Sequence, residues 1–257
     1  MEPARPALST AAHPAAASGP AGLATPPEAA THAVIVLLRY RRRHLLWGLS
    51  RLLLAPWGLG AVPGLRGARI LGSGREGGFG VWPGLRHQGL MAFFDNEASA
   101  RAFACHDPAV AQRRARADRW FCSVLAVSSS RGSWNGLRLQ PAGTPGAQAA
   151  GPVAVLTRAS IRPTQARTFW SHSPATERAL AHATGCRLAA GLGEAPLLRQ
   201  ATFSLWDSAA ALEAYARRGE HGEAARQAWG QGWFSEWMFV RFVPLSQEGQ
   251  WHDRRAG

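Results

Sequence analysis

The stretch Phe93-Phe94-Asp95-Asn96-Glu97-Ala98-Ser99-Ala100-Arg101-Ala102-Phe103-Ala104 returns 112 residues later as Leu205-Trp206-Asp207-Ser208-Ala209-Ala210-Ala211-Leu212-Glu213-Ala214-Tyr215-Ala216. Self-similarity at a fixed period marks a repeated structural unit. Trp120-Phe121 is matched by Trp233-Phe234 at an offset of 113, and Arg69-Ile70-Leu71 is echoed by Arg187-Leu188-Ala189 ahead of a Gly-x-Gly. Each copy opens on a β-rich run, Ala33 to Leu38 or Val153 to Thr157, and passes through a helical segment into a strand pair. The pair lies around Ala68 to Leu71 and Gly89 to Phe94 in one copy, and around Arg187 to Ala190 and Gln200 to Trp206 in the other. Asp95 and Asp207 stand as N-caps, Asp107-Pro108 signals a further helix start, and each copy closes on a strand, Trp120 to Ser128 or Phe234 to Val243. The order is βαββαβ twice, the split βαβ arrangement of ferredoxin-like domains. The expected fold is α+β: tandem ferredoxin-like halves, residues 31–136 and 152–245, with their sheets facing each other as an intrachain pseudo-dimer of the dimeric α/β-barrel kind. Residues 137–151, rich in Pro, Gly and Ala, form the linker.

Composition bounds the rest. A hydrophobic fraction of 46% against 18% charged residues is too apolar for a disordered chain. Residues 1–30 are the exception, an Ala/Pro-rich tail with almost no large apolar side chain, and 246–257 read as a polar C-terminal tail. The start lacks the basic and apolar pattern of a secretory signal, so a cytoplasmic location is expected. Cys105, Cys122 and Cys186 are odd in number and lack CxxC spacing, which argues against a disulfide framework or zinc site and predicts reduced, buried thiols. All 29 basic residues are arginine, and the net charge is +13. No groove-reading or base-stacking motif accompanies them, so nucleic acid is not an expected partner.

One basic cluster, Arg39-Tyr40-Arg41-Arg42-Arg43-His44, runs into Leu45-Leu46-Trp47-Gly48-Leu49-Ser50-Arg51-Leu52-Leu53-Leu54-Ala55-Pro56-Trp57. Arg51 and Pro56 break it, and a spanning helix needs about 20 predominantly apolar residues. Two readings stay open: peripheral membrane contact through Arg41, Arg42, Arg43, Trp47 and Trp57, or an ordinary amphipathic helix packed on a sheet.

Gly72-Ser73-Gly74-Arg75-Glu76-Gly77 meets the letter of GxGxxG, but Gly78, Gly80 and Pro83 follow where the fingerprint needs a helix. A glycine-rich loop between strands is expected instead. No GxSxG elbow, P-loop or HExxH occurs, so hydrolase, kinase and zinc-enzyme chemistries have no support. Eleven tryptophans suit a large core, and equally a flat macrocycle or a polyene.

The second half carries Leu156-Thr157-Arg158-Ala159-Ser160-Ile161-Arg162-Pro163, then Phe169-Trp170, then Gly191-Leu192-Gly193-Glu194-Ala195-Pro196-Leu197-Leu198-Arg199-Gln200-Ala201-Thr202-Phe203-Ser204-Leu205-Trp206. It ends on Gly232-Trp233-Phe234-Ser235-Glu236-Trp237-Met238-Phe239-Val240-Arg241-Phe242. These motifs, with Gly72-Ser73-Gly74 and Val81-Trp82-Pro83 in the first half, resemble the spheroidene monooxygenase family, the acyclic carotenoid 2-ketolases of purple bacteria. The resemblance runs from about Ala33 to Val243. It implies oxygen-dependent introduction of a keto group at carbon 2 of a spheroidene-like carotenoid, with haem iron as cofactor and reduced ferredoxin as electron donor. A bilayer-borne substrate would place the protein peripherally on the inner, photosynthetic membrane. Two other classes remain open: a non-catalytic haem or apolar-ligand binder, and a cofactor-free oxygenase of the antibiotic-biosynthesis type.

Under that resemblance His221 is the first candidate for the iron ligand. A ring at a helix start is kept neutral by the positive end of the dipole, and Gly219 and Gly222 leave room for a macrocycle. Arg218 and Arg226, with Arg217 nearby, are candidates for pairing with haem propionates. His172, beside Phe169 and Trp170, is the second cofactor-binding candidate, and Cys105 or Cys122 would serve for a thiolate ligand. The bland alternative makes His221 a solvated histidine at a helix start.

Overall fold

The computed structural model describes residues 29–54, 62–78, 80, 82–143, 151–195, 197–217 and 232–251. In strand β1 (His32–Tyr40), Ala33, Ile35 and Leu37 belong to one apolar cluster, and Val34, Val36, Leu38 and Tyr40 to another. A strand apolar on both faces needs cover on both, and the elements that follow supply it. They are α1 (Leu45–Leu53), β2 (Leu65–Gly74), β3 (Pro83–Phe94), α2 (Glu97–His106), α3 (Pro108–Arg116) and β4 (Ala117–Gly132), then β5 (Val153–Ile161), α4 (Ala166–Ala181), β6 (Cys186–Ala195), β7 (Arg199–Trp206), α5 (Ala209–Arg217) and β8 (Phe234–Gln250). Both halves therefore show the βαββαβ order.

The strands close into one antiparallel barrel in the order β1-β3-β2-β6-β7-β5-β8-β4. The first half contributes β4-β1-β3-β2 and the second β8-β5-β7-β6, so the strands after Trp120 and Trp233 hold matching places. The expected barrel-like α+β fold is upheld, and one detail is corrected, that of two separate sheets laid face to face. Their edges hydrogen-bond to each other, β4 to β8 along most of their length and β2 to β6 through Gly72 and Ser73. Closure at the β2–β6 seam rests on those two residues alone, whereas the β4–β8 seam is paired at length.

Register also corrects the repeat. His32 pairs with Phe94 and Val153 with Trp206, which upholds the offset of 112 for β3 and β7. Trp120, however, stands opposite Leu38, and Trp237 opposite the corresponding Ala159. Trp237, not Trp233, is the counterpart of Trp120.

Three local expectations shift as well. Asp95 pairs with Arg66, and the α2 cap is Asn96, whose side chain accepts from Ser99 N at 2.8 Å. Asp207 pairs with Arg187, and Ser208 Oγ accepts from Ala211 N at 3.2 Å. Asp107 caps α3 as expected. The polar tail expected from 246 is strand β8 as far as Gln250, and Trp251 is buried after it. All three cysteines are free, but only Cys122 is buried; Cys105 is exposed.

Candidate functional site

Eight strands enclose an interior about wide enough for side chains to fill. Here Ile35, Leu37, Met91, Phe93, Leu156 and Phe203 are among those that fill it. Trp134, after β4, packs on Phe93 near the start of β1, and Trp251, after β8, packs on His87 near the end of β1. The two indoles thus stopper opposite ends. Burial lowers the pKa of His87 below its ordinary value, the nearby arginines adding to that effect and Glu76 opposing it.

Beneath Trp134 the interior holds a charged cluster. Arg158 is 1% exposed and follows the inward parity of Ala154 and Leu156. Its guanidinium reaches Glu236 at 2.5 Å and Glu194 at 3.2 Å, while Arg69 reaches Glu194 at 3.3 Å. Ser133 Oγ donates to Glu236 at 3.1 Å, and both arginines lie within 6 Å of the Trp134 ring centroid, at 5.7 and 5.8 Å. Burial alone would raise the Glu236 carboxyl; Arg158, Ser133 and the Gly136 N–H together outweigh it and hold the group below the usual carboxylate range. The cluster ties β2 and the segment after β4 to β5, β6 and β8, across both seams of the barrel. It is a structural clamp, since its charges are spent on one another.

The outer faces differ from one half to the other. In the first, the row Ile70–Leu90–Val36–Cys122 crosses the sheet beneath α1, α2 and α3 and joins the apolar cluster there. The matching row of the second half is Gly191–Thr202–Thr157–Phe239. Thr157 is exposed although its strand lies between β7 and β8, whereas its counterpart Val36 is fully buried. The next row, Gly193–Gln200–Ala159–Trp237, matches Gly72–Gln88–Leu38–Trp120, with alanine in place of leucine. Small side chains and the exposed Thr157, on a strand otherwise largely buried, leave an opening among the described residues on the helix side of the second sheet. Phe239 flanks it and packs against the cluster of Val153, Val155, Leu180, Trp206 and Leu212 beneath α4 and α5.

His221, Arg218 and Arg226 lie outside the described residues, in the segment that follows α5. His172 sits on α4, over this second sheet, and its side chain lies outside the described set. Cys122 belongs to the packed outer cluster of the first half, where burial pushes its thiol up to about 12, so it offers no open thiolate position. Among the described residues no group of three His, Cys, Asp or Glu side chains forms a metal site. Of the membrane candidates, Arg41, Arg42 and Arg43 are exposed and Trp57 lies outside the described residues. Trp47 turns inward, edge-on to Tyr40 at 5.7 Å with the Arg116 guanidinium 4.4 Å from its ring centroid. No helix among the described residues is long and apolar enough to cross a membrane.

The assembly is a ferredoxin-like α+β barrel with a packed interior and an opening on one outer face. The same fold class is seen in an aldoxime dehydratase crystallised with butyraldoxime, at a TM-score of 0.50 and 10% identity over 83% of this chain and 79% of that one. A Listeria monocytogenes ferredoxin-fold protein related to antibiotic biosynthesis monooxygenases aligns at a TM-score of 0.33 and 11% identity, over 85% and 97% of the two chains. No family model matches. The chain is 49% identical to spheroidene monooxygenase of Rubrivivax gelatinosus, over 87% of this chain and 86% of that protein. It is 35% identical to that of Rhodobacter capsulatus, over 80% and 87%. The chain belongs to the spheroidene monooxygenase family, whose members are oxygen-dependent enzymes.

Proposed function

We propose that this enzyme oxidises an acyclic, spheroidene-like carotenoid, forming a keto group at carbon 2 with haem as cofactor and reduced ferredoxin as electron donor. The observation that carries the reading is 49% identity to a protein named for that substrate, over 86% of its length. The opening at exposed Thr157, bordered by the small side chains of Gly191, Thr202 and Ala159, supports it, because a flat or rod-like apolar group needs a sheet face free of bulky side chains. It also fits a macrocycle better than the barrel interior, which is filled. Bound haem supplies the iron chemistry that activates dioxygen. The chain's own part is to hold that group through His221, with His172 second, to pair its carboxylates with Arg218 and Arg226, and to keep water from the polyene with Phe239 and the helix-side cluster. The site works at the cytoplasmic surface of the photosynthetic membrane, where the substrate resides.

The purified protein is expected to show a Soret band. His221→Ala should lose the haem or shift that band with unchanged circular dichroism, while His172→Ala keeps both; an unchanged spectrum in His221→Ala removes His221 as ligand. Absence of any Soret band in the wild type favours a cofactor-free oxygenase. Thr157→Trp fills the opening. At an exposed position it should move stability by no more than about 0.5 kcal/mol, yet turnover should fall by roughly 100-fold as the substrate is displaced. Full turnover in Thr157→Trp would place the substrate elsewhere.

A further inference from the structure

Helix α1 has apolar residues where a helix of a soluble domain is polar. Its sheet side is accounted for: Gly48 packs against the Tyr40 ring, and its carbonyl accepts from Gln88 Nε2 at 2.8 Å. Leu46 and Leu53, seven residues apart and so on one face, are 81% and 80% exposed, and Leu54 follows them outward. The helix carries no acidic residue and a single charge, Arg51. A second element meets it. A cleft of 460 Å³ is lined by Arg42 and Leu45 on one side and by Arg75, Glu76 and the Pro83–His87 strand start on the other. Flanking that cleft, Trp82 is 72% and Leu85 55% exposed. Arg41, Arg42 and Arg43, all exposed, precede the helix.

We infer that α1 and the start of β3 form a bilayer-docking face, in which Leu46, Leu53, Leu54, Trp82 and Leu85 enter the headgroup and acyl boundary while Arg41, Arg42 and Arg43 bind anionic headgroups. This names the surface for the membrane contact in the preceding reading and rests on exposure and charge alone. Exposed apolar side chains beside arginines match the two demands of an anionic interface, and a tryptophan ring prefers that depth. A second copy of this chain is a poor occupant, because a two-fold contact would set the three arginines against themselves. An acidic protein would satisfy the arginines and leave five large apolar groups without a purpose.

Sedimentation of the full chain with vesicles of equal phosphatidylglycerol and phosphatidylcholine tests this, with pure phosphatidylcholine as the comparison. Binding should require the anionic lipid. Changing Arg41, Arg42 and Arg43 to glutamine should weaken it by roughly 100-fold, and Leu46→Ser or Trp82→Ser by about tenfold each. Turnover of detergent-dispersed carotenoid should stay unchanged in all three variants, since none touches the opening over Thr157. Equal sedimentation of wild type and variants would overturn the assignment, as would lipid-independent self-association abolished by Leu46→Ser. Loss of vesicle binding with detergent turnover intact supports this face, and turnover absent from a wild type that binds vesicles faults the enzymatic reading alone.

Discussion

Arg158→Leu is expected to lower the unfolding free energy by about 3 kcal/mol, the low end of the range for breaking a buried ion pair by removing one partner. Among the described residues its guanidinium is the only positive charge within reach of both carboxylates: Glu236 at 2.5 Å and Glu194 at 3.2 Å face it, and of the two only Glu194 keeps a second cation, Arg69 at 3.3 Å. The low end applies because Glu194 and Glu236 are 13% and 26% exposed, so water screens part of what Arg158 now neutralises. Urea denaturation at pH 7 measures the loss. Acid supplies an internal check. The Glu236 carboxyl sits below its ordinary value of 4.5, and burial works against that direction while Arg158 drives it. A depressed carboxylate contributes stability above its unfolded pKa, and that stability disappears as pH falls through the folded value. Wild type and Arg158→Leu should therefore converge in stability as pH falls below 4.5 and on through the depressed folded value of Glu236. A gap that stays constant from pH 7 into acid would mean that Arg158 acts by packing and not by charge.

That cluster also shows how far the sequence could be read. Arg158 stands where the alternation of Ala154 and Leu156 points into the core, so a charge at an inward position was visible; its partners on β6 and β8 were not, because they depend on register across three strands. Strand and helix order followed from apolar periodicity and the repeat. Barrel closure did not, since edge pairing of β4 with β8 and β2 with β6 joins residues more than 100 positions apart. The caps slipped by one residue for a local reason: Asp95 and Asp207 are taken by Arg66 and Arg187, leaving Asn96 and Ser208 to cap. Trp47 could not be oriented from sequence, because α1 is apolar on both faces and contacts outside the helix, with the Tyr40 ring, Gln88 and Arg116, fix which side turns inward. The opening at Thr157 is legible only by comparison with Val36, and that comparison needs the strand register.

Gly132→Ala and Gly249→Ala should each cost about 3 kcal/mol, from a left-handed backbone at a non-glycine residue together with overlap in a packed site. The two glycines open the same three-residue pattern, Gly132-Ser133-Trp134 and Gly249-Gln250-Trp251, at the ends of β4 and β8. Both have positive φ, +81° and +80°. A Cβ on Gly132 would overlap the carbonyl oxygen of Trp237, and one on Gly249 that of Trp120, the two residues that register makes counterparts. Backbone cannot move aside as a flexible side chain can, all the more because Ser133 N donates to the Trp237 carbonyl at 2.9 Å. The turn each glycine permits carries the following tryptophan over an end of the barrel, so displacement should loosen Trp134 or Trp251 and reduce the near-ultraviolet dichroism of the buried indoles. Gly136→Ala is the control: φ is +80° there too, but nothing lies within 4 Å of the added carbon, so only the conformational penalty of about 1 kcal/mol applies. Thermal unfolding of the three variants separates the contributions. If Gly132→Ala and Gly249→Ala lose no more than Gly136→Ala, close approach to the opposing tryptophan is not what selects glycine at the two ends of the barrel.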